Sequence, residues 1–585
     1  MQRGFFMLVM LPLTFLLVPS RLFRSERAET IAALLLAAAS LVVMIRLLLH
    51  FDRLYAELFI SSLDMWVGVL GLALVLEAVR RTAGMGITVI LILFLEYAWL
   101  GERIPGEALR HGGLDVGTVV SIIFYSTDGV FGTAVGVCAT FVVMIIMLGA
   151  MLTASGGAEL FMNIAKVFAG RFVGGPAKIA VVGSALMGMI TGATAANVAT
   201  TGSVTIPMMK RAGYDARFAG AIEALASSGG QLMPPVMGAA AFIMIDYLGM
   251  DYGQLVVHAI VPAILYFLSV LMIVHVRSVK HGFRPIPREE IPDLGRELRA
   301  RGHMLLPIVL LVVLMAQRFG IMYVAFLAVL CAIAVAMLRR ETRLDVRGFR
   351  AALHDAMASM CPLVAICAGA GILIGVLSAT GLSLKITYLI EQLAGGSLFL
   401  TLLFTMVACI LLGMGLPTVA AYVVLATLVP ASLVALGVSP VAAHLFIFYF
   451  AVLSAITPPV CTGAYVAAGI AKADPIQTAF VALRLGLVVF LLPFAFVYEP
   501  ALLLIGNPAA IAVHVGTCIA GIGCWAIGLE GWFRQPLGSG ARALLLAAGV
   551  LLIWPDVRMS LAGLVIAAGV LALARAPALA LERAP

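Results

Sequence analysis

The residues of this 585-residue chain best suited to chemistry are neutral oxygens set in apolar surroundings. Thr191, Gly192, Thr194, Asn197 and Thr201 interrupt the apolar stretch 177–209, and Ser227, Gly229, Gln231, Pro234 and Pro235 interrupt the next, 216–248. Gly413, Gly415, Pro417 and Thr418 break 397–430, and Ser454, Thr457, Pro458 and Pro459 break 440–471. A Pro-Pro pair lacks two backbone donors and cannot continue a helix, so nearby carbonyls are left free. Those carbonyls, the hydroxyls and the Asn197 amide suit a hard monovalent cation. Half-helix C-termini add partial negative charge, and half-helix N-termini favour an anion. The expected coupling-ion ligands are Thr191, Gly192, Thr194, Asn197, Ser227, Gly229, Gly413, Gly415, Thr418, Ser454 and Thr457, with a sodium site at each tip facing the neighbouring broken helix. The expected substrate contacts are Asn197, Thr201, Gln231, Pro234, Pro235, Pro417, Thr418, Pro458 and Pro459. The competing reading is close helix packing, which Gly, Ser and Thr also serve in membranes.

Carboxylates inside a membrane are costly and are candidates for function. Glu223 lies one turn before the Ser227–Pro235 break and is the proton-coupling candidate. Asp246 sits near a predicted periplasmic end, Asp128 in a boundary loop, and Glu77 and Glu96 are expected to pair with arginines or line an interface. His258, His275 and His444 are isolated in sequence and read as packing or interfacial residues. The eight cysteines are scattered singly, without a CxxC pair or a nearby His at ligand spacing. With no HExxH, Ser/His/Asp or Walker pattern, no catalytic residues, resident metal beyond sodium or cofactor are expected. An intramembrane enzyme is disfavoured because general acids and bases are few, and a purely structural protein because symmetric breaks would serve nothing.

The elements that hold these residues are membrane helices. The chain is 63% hydrophobic and 11% charged, with a mean hydropathy of +1.13, against roughly 45–50% apolar and about 25% charged in soluble domains. No large soluble domain fits, and the net charge of +8 reflects Lys and Arg in short loops rather than a nucleic-acid surface. Apolar runs of spanning length recur along the chain, and 5–19 reads as a first membrane segment, since Val18-Pro19-Ser20 fits a signal-peptide cleavage site poorly. Loops 277–303 and 339–350, rich in Arg, are placed in the cytoplasm, as are Arg80-Arg81, Lys210-Arg211 and Lys472.

The chain also repeats itself. Leu152-Thr-Ala-Ser-Gly-Gly pairs with Leu377-Ser-Ala-Thr-Gly-Leu, Pro207 with Pro430, and Pro234-Pro235-Val236 with Pro458-Pro459-Val460, at offsets of 225, 223 and 224 residues. The loop Lys210–Arg217 carries three positive charges and its counterpart Ala435–Pro440 none, so the halves read as inverted repeats, the architecture of secondary transporters. Within each half, a stretch too long for one span and broken midway reads as a re-entrant hairpin with its tip near the midplane, where irregular backbone survives only beside protein or water.

Gly183-Ser-Ala-Leu-Met-Gly188, Asn197-Val-Ala-Thr-Thr-Gly-Ser203, Ile206-Pro-Met-Met-Lys-Arg-Ala-Gly-Tyr214 and Gly229-Gly-Gln-Leu-Met-Pro-Pro-Val-Met-Gly-Ala-Ala-Ala-Phe242 closely resemble fused membrane components of TRAP transporters, best the TAXI-associated branch; Gly413-Met-Gly-Leu-Pro-Thr418 and Ile456-Thr-Pro-Pro-Val460 agree. The resemblance spans roughly residues 30–500. It implies an all-α polytopic elevator-type permease of the bacterial inner membrane, with a rigid scaffold and a mobile domain carrying both hairpins. It also implies coupling to an ion gradient, sodium or proton, and delivery of a small organic anion by a soluble periplasmic binding protein of the TAXI type. The implied divisions are 1–115 small-subunit-like helices, 116–275 first permease repeat, 276–350 cytoplasmic loops and connecting helices, 351–500 second repeat, and 501–585 further membrane helices. Segments 158–170 and 383–395 would be amphipathic arms, and the fused small subunit suggests a monomer. Where the family's first tip often opens Ser-Gly-Ser, this chain has Thr191-Gly192-Ala193-Thr194, which leaves the exact ligand set open. The alternative is a standalone divalent-anion/sodium symporter of similar design.

Overall fold

The computed structural model describes residues 1–20, 25–56, 60–105, 109–413 and 417–574. Their regular structure is helical, apart from a short ribbon pairing Trp532–Phe533 with Gln535–Pro536. In hydrocarbon every backbone polar group needs an internal partner, which an α-helix supplies by itself. Among the described residues eight helices are long and apolar enough to cross a membrane, and Pro475–Leu485 with Leu487–Tyr498 makes a further span bent by 45°. The segment expected at 5–19 is the helix Gln2–Leu17.

The chain divides into two compact units, and neither is continuous in sequence. The first comprises Met1–Ser155, Ala239–Tyr252 and Met304–Gly437; the second comprises Gly156–Gly238, Gly253–His303 and Val438–Pro585. In the first unit, the long helix Val346–Thr380 is the most enclosed, with 83% of its apolar window buried. It packs against Thr133–Ala154, Ser62–Ala83 and Gln2–Leu17. Ion pairs brace the N-terminal helices. Buried Asp64 pairs with Arg46 at 2.7 Å and Arg53 at 2.5 Å, and buried Arg81 pairs with Glu77 at 2.9 Å while donating to the Phe15 and Val18 carbonyls. Glu77 thus pairs with arginines, as expected.

The repeat is visible in the backbone. Gly156 and Gly381, which open the arm helices Gly157–Ala169 and Leu382–Ala394, have φ of +86° and +66°; Gly213 and Gly437, which turn the chain after each hairpin, have +93° and +88°. Asp215 and Ser439 cap the helices leading into each break by accepting from backbone N–H groups. Cis peptides join Pro234–Pro235 and Pro458–Pro459. The hairpins pack crosswise between halves. Thr194–Arg211 lies against Thr462–Ala471 in the second unit, while its counterpart Thr418–Leu428 lies against Ala239–Leu248 in the first. The second hairpin and the broken helix 440–471, adjacent in sequence, fall in different units.

The last three helices, Pro508–Glu530, Ser539–Ile553 and Val557–Leu573, pack on one another through small residues. A Cβ at Gly521 would lie 2.8 Å from the Gly549 carbonyl, the close approach that small residues permit in membranes. Glu530, buried, anchors this extension within the second unit by pairing with Arg277 at 3.2 Å, and its carbonyl accepts from Lys280 at 2.7 Å.

Candidate functional site

The first hairpin has arms Gly175–Thr191 and Thr194–Arg211. The break is confined to Gly192 and Ala193, so Thr194–Ser203, expected to belong to the interruption, is helical. Gly192 ends the first arm at φ +60°, the left-handed geometry that suits glycine. The helix Ala216–Gly229 runs into a single 3-10 turn, Gly230–Leu232, and residues 233–238 are irregular before Ala239–Leu248. The tip and this break touch backbone to backbone: a Cβ on Gly188 would sit 2.2 Å from the Gly230 Cα.

Asn197 is 1% exposed. Its Nδ2 donates to the Ser184 carbonyl at 2.9 Å, while its Oδ1 is buried and has no partner among the described residues. Leaving a buried carbonyl unpaired costs about 1–3 kcal/mol, a cost that an electropositive partner would relieve. Thr191, closing the first arm, likewise has a buried Oγ1 without a partner among the described residues. Thr194, at the start of the second arm, accepts from Gln231 Nε2 at 2.6 Å, which ties tip to break. A Cβ on Gly463, from the second repeat, would lie 2.7 Å from the Thr194 methyl. Asn197, Thr194, Ser227 and Gln231 are therefore brought together.

Glu223 is fully buried, one turn behind this tip. Ser184 and Ser227 donate to its Oε1 at 2.9 and 3.0 Å, and Thr201 and Thr205 hydrogen-bond to Oε1 and Oε2. No basic side chain among the described residues pairs with it. Thr201 and Thr205 also reach the Asn197 and Thr201 carbonyls, at 2.7 and 3.0 Å. Each hydroxyl has one hydrogen, so four hydroxyls cannot supply all six contacts. A proton on the carboxyl lets Glu223 donate to one threonine while that threonine donates to its carbonyl.

The other expected residues are placed differently. Gly229 is a packing residue, since a Cβ there would meet the Tyr266 ring at 2.2 Å. Pro234 and Pro235 are buried within the break. Ser454 and Thr457 donate to the Ala451 and Leu453 carbonyls at 2.8 and 2.9 Å. Pro458 is half-buried and Pro459 exposed. Gly413 ends the helix Leu398–Gly413, Gly415 lies outside the described residues, exposed Pro417 caps Thr418–Leu428, and Thr418 is buried at its start. Gly413, Pro417 and Thr418 belong to the first unit, so they are not assembled with Asn197 in one compact body. Sequence reasoning missed Ser184 and Thr205 as partners of Glu223. The signal was present for Thr205, which follows Thr201 by one turn as Ser227 follows Glu223.

Long apolar helices, paired interruptions and buried oxygens together define a multi-pass membrane protein. The model of the family described as "Tripartite ATP-independent periplasmic transporter, DctM component" matches residues 70–510, and the chain belongs to that family. It is 25% identical over 415 residues to the isethionate TRAP transporter permease protein DctMQ of Oleidesulfovibrio alaskensis, covering 69% of this chain and 62% of the relative. It is 25% identical over 209 residues to the C4-dicarboxylate TRAP transporter large permease protein DctM of Pseudomonas aeruginosa, covering 34% of this chain and 48% of the relative. With the sialic acid TRAP transporter large permease protein SiaM of Vibrio cholerae it shares 20% identity over 377 residues, 63% of this chain and 87% of the relative. The matched stretch spans about half the length of the Pseudomonas aeruginosa relative and 62% of the Oleidesulfovibrio alaskensis one.

Proposed function

We propose that the chain is the membrane permease of a secondary transporter that imports a small organic anion, handed over by a soluble periplasmic binding protein and driven by a cation gradient, with sodium as the coupling ion. The observation that carries this reading is the Asn197 Oδ1, buried and without a partner among the described residues, where the first hairpin tip meets the 230–238 break. A sodium ion there takes the amide oxygen, hydroxyl oxygen of the tip and carbonyls freed by the break. The family and the relatives' names support the substrate class and the binding protein; that this partner is of the TAXI type rests on the resemblance of the sequence motifs. The cation neutralises an anionic substrate, and an elevator movement of the unit holding Asn197 carries both across; the permease acts as a monomer in the inner membrane.

Glu223 favours a second reading, in which its proton is the coupling ion. Full burial without a cationic partner and the shortage of hydroxyl hydrogens both fit a carboxyl that is loaded in one state and emptied in another.

The test is uptake of organic acids into proteoliposomes, with the binding protein outside and a sodium or proton gradient imposed in turn. Uptake needing both sodium and the binding protein upholds the proposal. Proton-driven uptake replaces sodium by Glu223. Uptake indifferent to the binding protein leaves a standalone divalent-anion/sodium symporter.

A further inference from the structure

A cavity of about 540 Å³ opens on the second unit between the arm helix, the first hairpin, the helix Tyr252–Lys280 and the C-terminal extension. Its walls are apolar: Phe168 and Phe172, each 54% exposed, Val182, Leu271 and Met272, with Gly523 and Ile527 of the extension opposite. One cation interrupts them. Lys178, in the first turn of Gly175–Thr191, holds its Nζ 3.1 Å from His275 Nδ1 and 5.4 Å from the centre of the Phe172 ring. Among the described residues no carboxylate pairs with it. An ammonium facing an imidazole nitrogen leaves that nitrogen as acceptor, so His275 carries its hydrogen on Nε2 and the pair keeps a full positive charge with donors to spare. Arg171, exposed and without an acidic partner among the described residues, lies one residue before Phe172.

The position of this charge selects the occupant. The hairpin returns at Lys210-Arg211 and Tyr252–Lys280 ends at Arg277 and Lys280, so Lys178 and His275 lie at the Lys/Arg-rich end, the cytoplasmic side by the positive-inside rule. That leaflet holds the anionic lipids, and basic pockets between helices on that side bind phospholipid head groups. An apolar cleft with a cation in its lining that meets no carboxylate among the described residues complements a molecule with an acyl chain and an anionic head. We propose that this cleft is a binding site for an anionic phospholipid, its phosphate held by Lys178 with His275 and Arg171, and its acyl chain lying along Gly523 and Ile527. The extension beyond residue 500 would then have a definite use: it supplies one wall of the site.

The test is native mass spectrometry of the full chain in detergent, with dioleoylphosphatidylglycerol and dioleoylphosphatidylcholine offered at equal concentration. The wild type should retain one phosphatidylglycerol at least tenfold over phosphatidylcholine. Lys178→Gln should abolish that preference, and Lys178→Arg should restore it. Gly523→Leu fills the cleft from a helical position where a Cβ meets only the Met272 sulphur, at 3.9 Å, and should lower retention of both lipids. Unchanged preference in Lys178→Gln, or equal retention of the two lipids by the wild type, overturns the proposal. Displacement of phosphatidylglycerol by millimolar inorganic phosphate alone would also overturn it, by making the site one for a small anion. If Lys178→Gln does not fold, the Lys178→Arg and Gly523→Leu comparison decides.

Discussion

Asn197 and Glu223 divide the coupling question between two side chains that share a neighbour, Ser184, whose carbonyl accepts from Asn197 and whose hydroxyl donates to Glu223. Asn197→Ala removes the free Oδ1 and the Nδ2 bond to Ser184 together. On the sodium reading it should raise the sodium concentration for half-maximal uptake about tenfold, equivalent to about 1.4 kcal/mol, with substrate binding by the periplasmic partner unchanged. Glu223→Gln keeps a neutral hydrogen-bonding group of the same size but cannot release a proton. On the proton reading it should abolish accumulation driven by an inward proton gradient while preserving substrate exchange across the membrane. Measured side by side, the two variants separate the readings, because each leaves the other's gradient dependence intact. Both residues stood out in the sequence as candidates, Asn197 as an amide near a break and Glu223 as a carboxylate inside an apolar run. Ser184 did not, because its partner stands 39 positions away and only the packing of three helices brings them together.

At the scale of elements, the hairpin tip is fixed by how closely two backbones approach. Gly188→Ala places a methyl against Gly230 where no flexible side chain can yield, and overpacking of this kind costs about 1–3 kcal/mol. The expected result is a lower thermal melting temperature in detergent and loss of uptake, since separating tip from break also separates Gln231 from Thr194. In the N-terminal helices, Asp64→Asn leaves Arg46 and Arg53 without their shared carboxylate. Breaking a buried pair costs about 3–5 kcal/mol, less here because the arginines are part-exposed, and thermal melting should fall accordingly. The sequence revealed that these helices break, and roughly where, because Gly and Pro punctuate an apolar run without ambiguity. It placed too much of 194–203 in the interruption, since Thr and Ser are weak helix breakers and here their hydroxyls bond back to carbonyls one turn earlier, as Thr200 and Thr201 do.

At the scale of the whole molecule, the repeat was readable from a constant offset, while the grouping of its parts was not. Contiguous divisions were the natural expectation, yet each compact unit draws on three separate stretches. Nothing in local composition signals that Thr194–Arg211 will lie against Thr462–Ala471, because the contact runs through groups as small as the Thr194 methyl and Gly463, and Lys210 reaches only a backbone carbonyl, that of Ala471. The extension beyond residue 500 was equally mute, since beside the Glu530 carboxylate its ties run through backbone carbonyls, those of Leu529 and Glu530, which Arg484 and Lys280 reach and which leave no mark in a sequence.

The crosswise packing of the hairpins has a consequence for biogenesis. A ribosome that has finished the first repeat has made Thr194–Arg211 without Thr462–Ala471, and Ala239–Leu248 without Thr418–Leu428. Each nascent half is a surface awaiting a mate, and contacts this distant in sequence form late. Cutting the gene in the loop around residue 340 should therefore yield two fragments that are each degraded when expressed alone and accumulate only when co-expressed, as read by immunoblotting of membranes. Stable accumulation of either fragment alone would show that a half can close on itself.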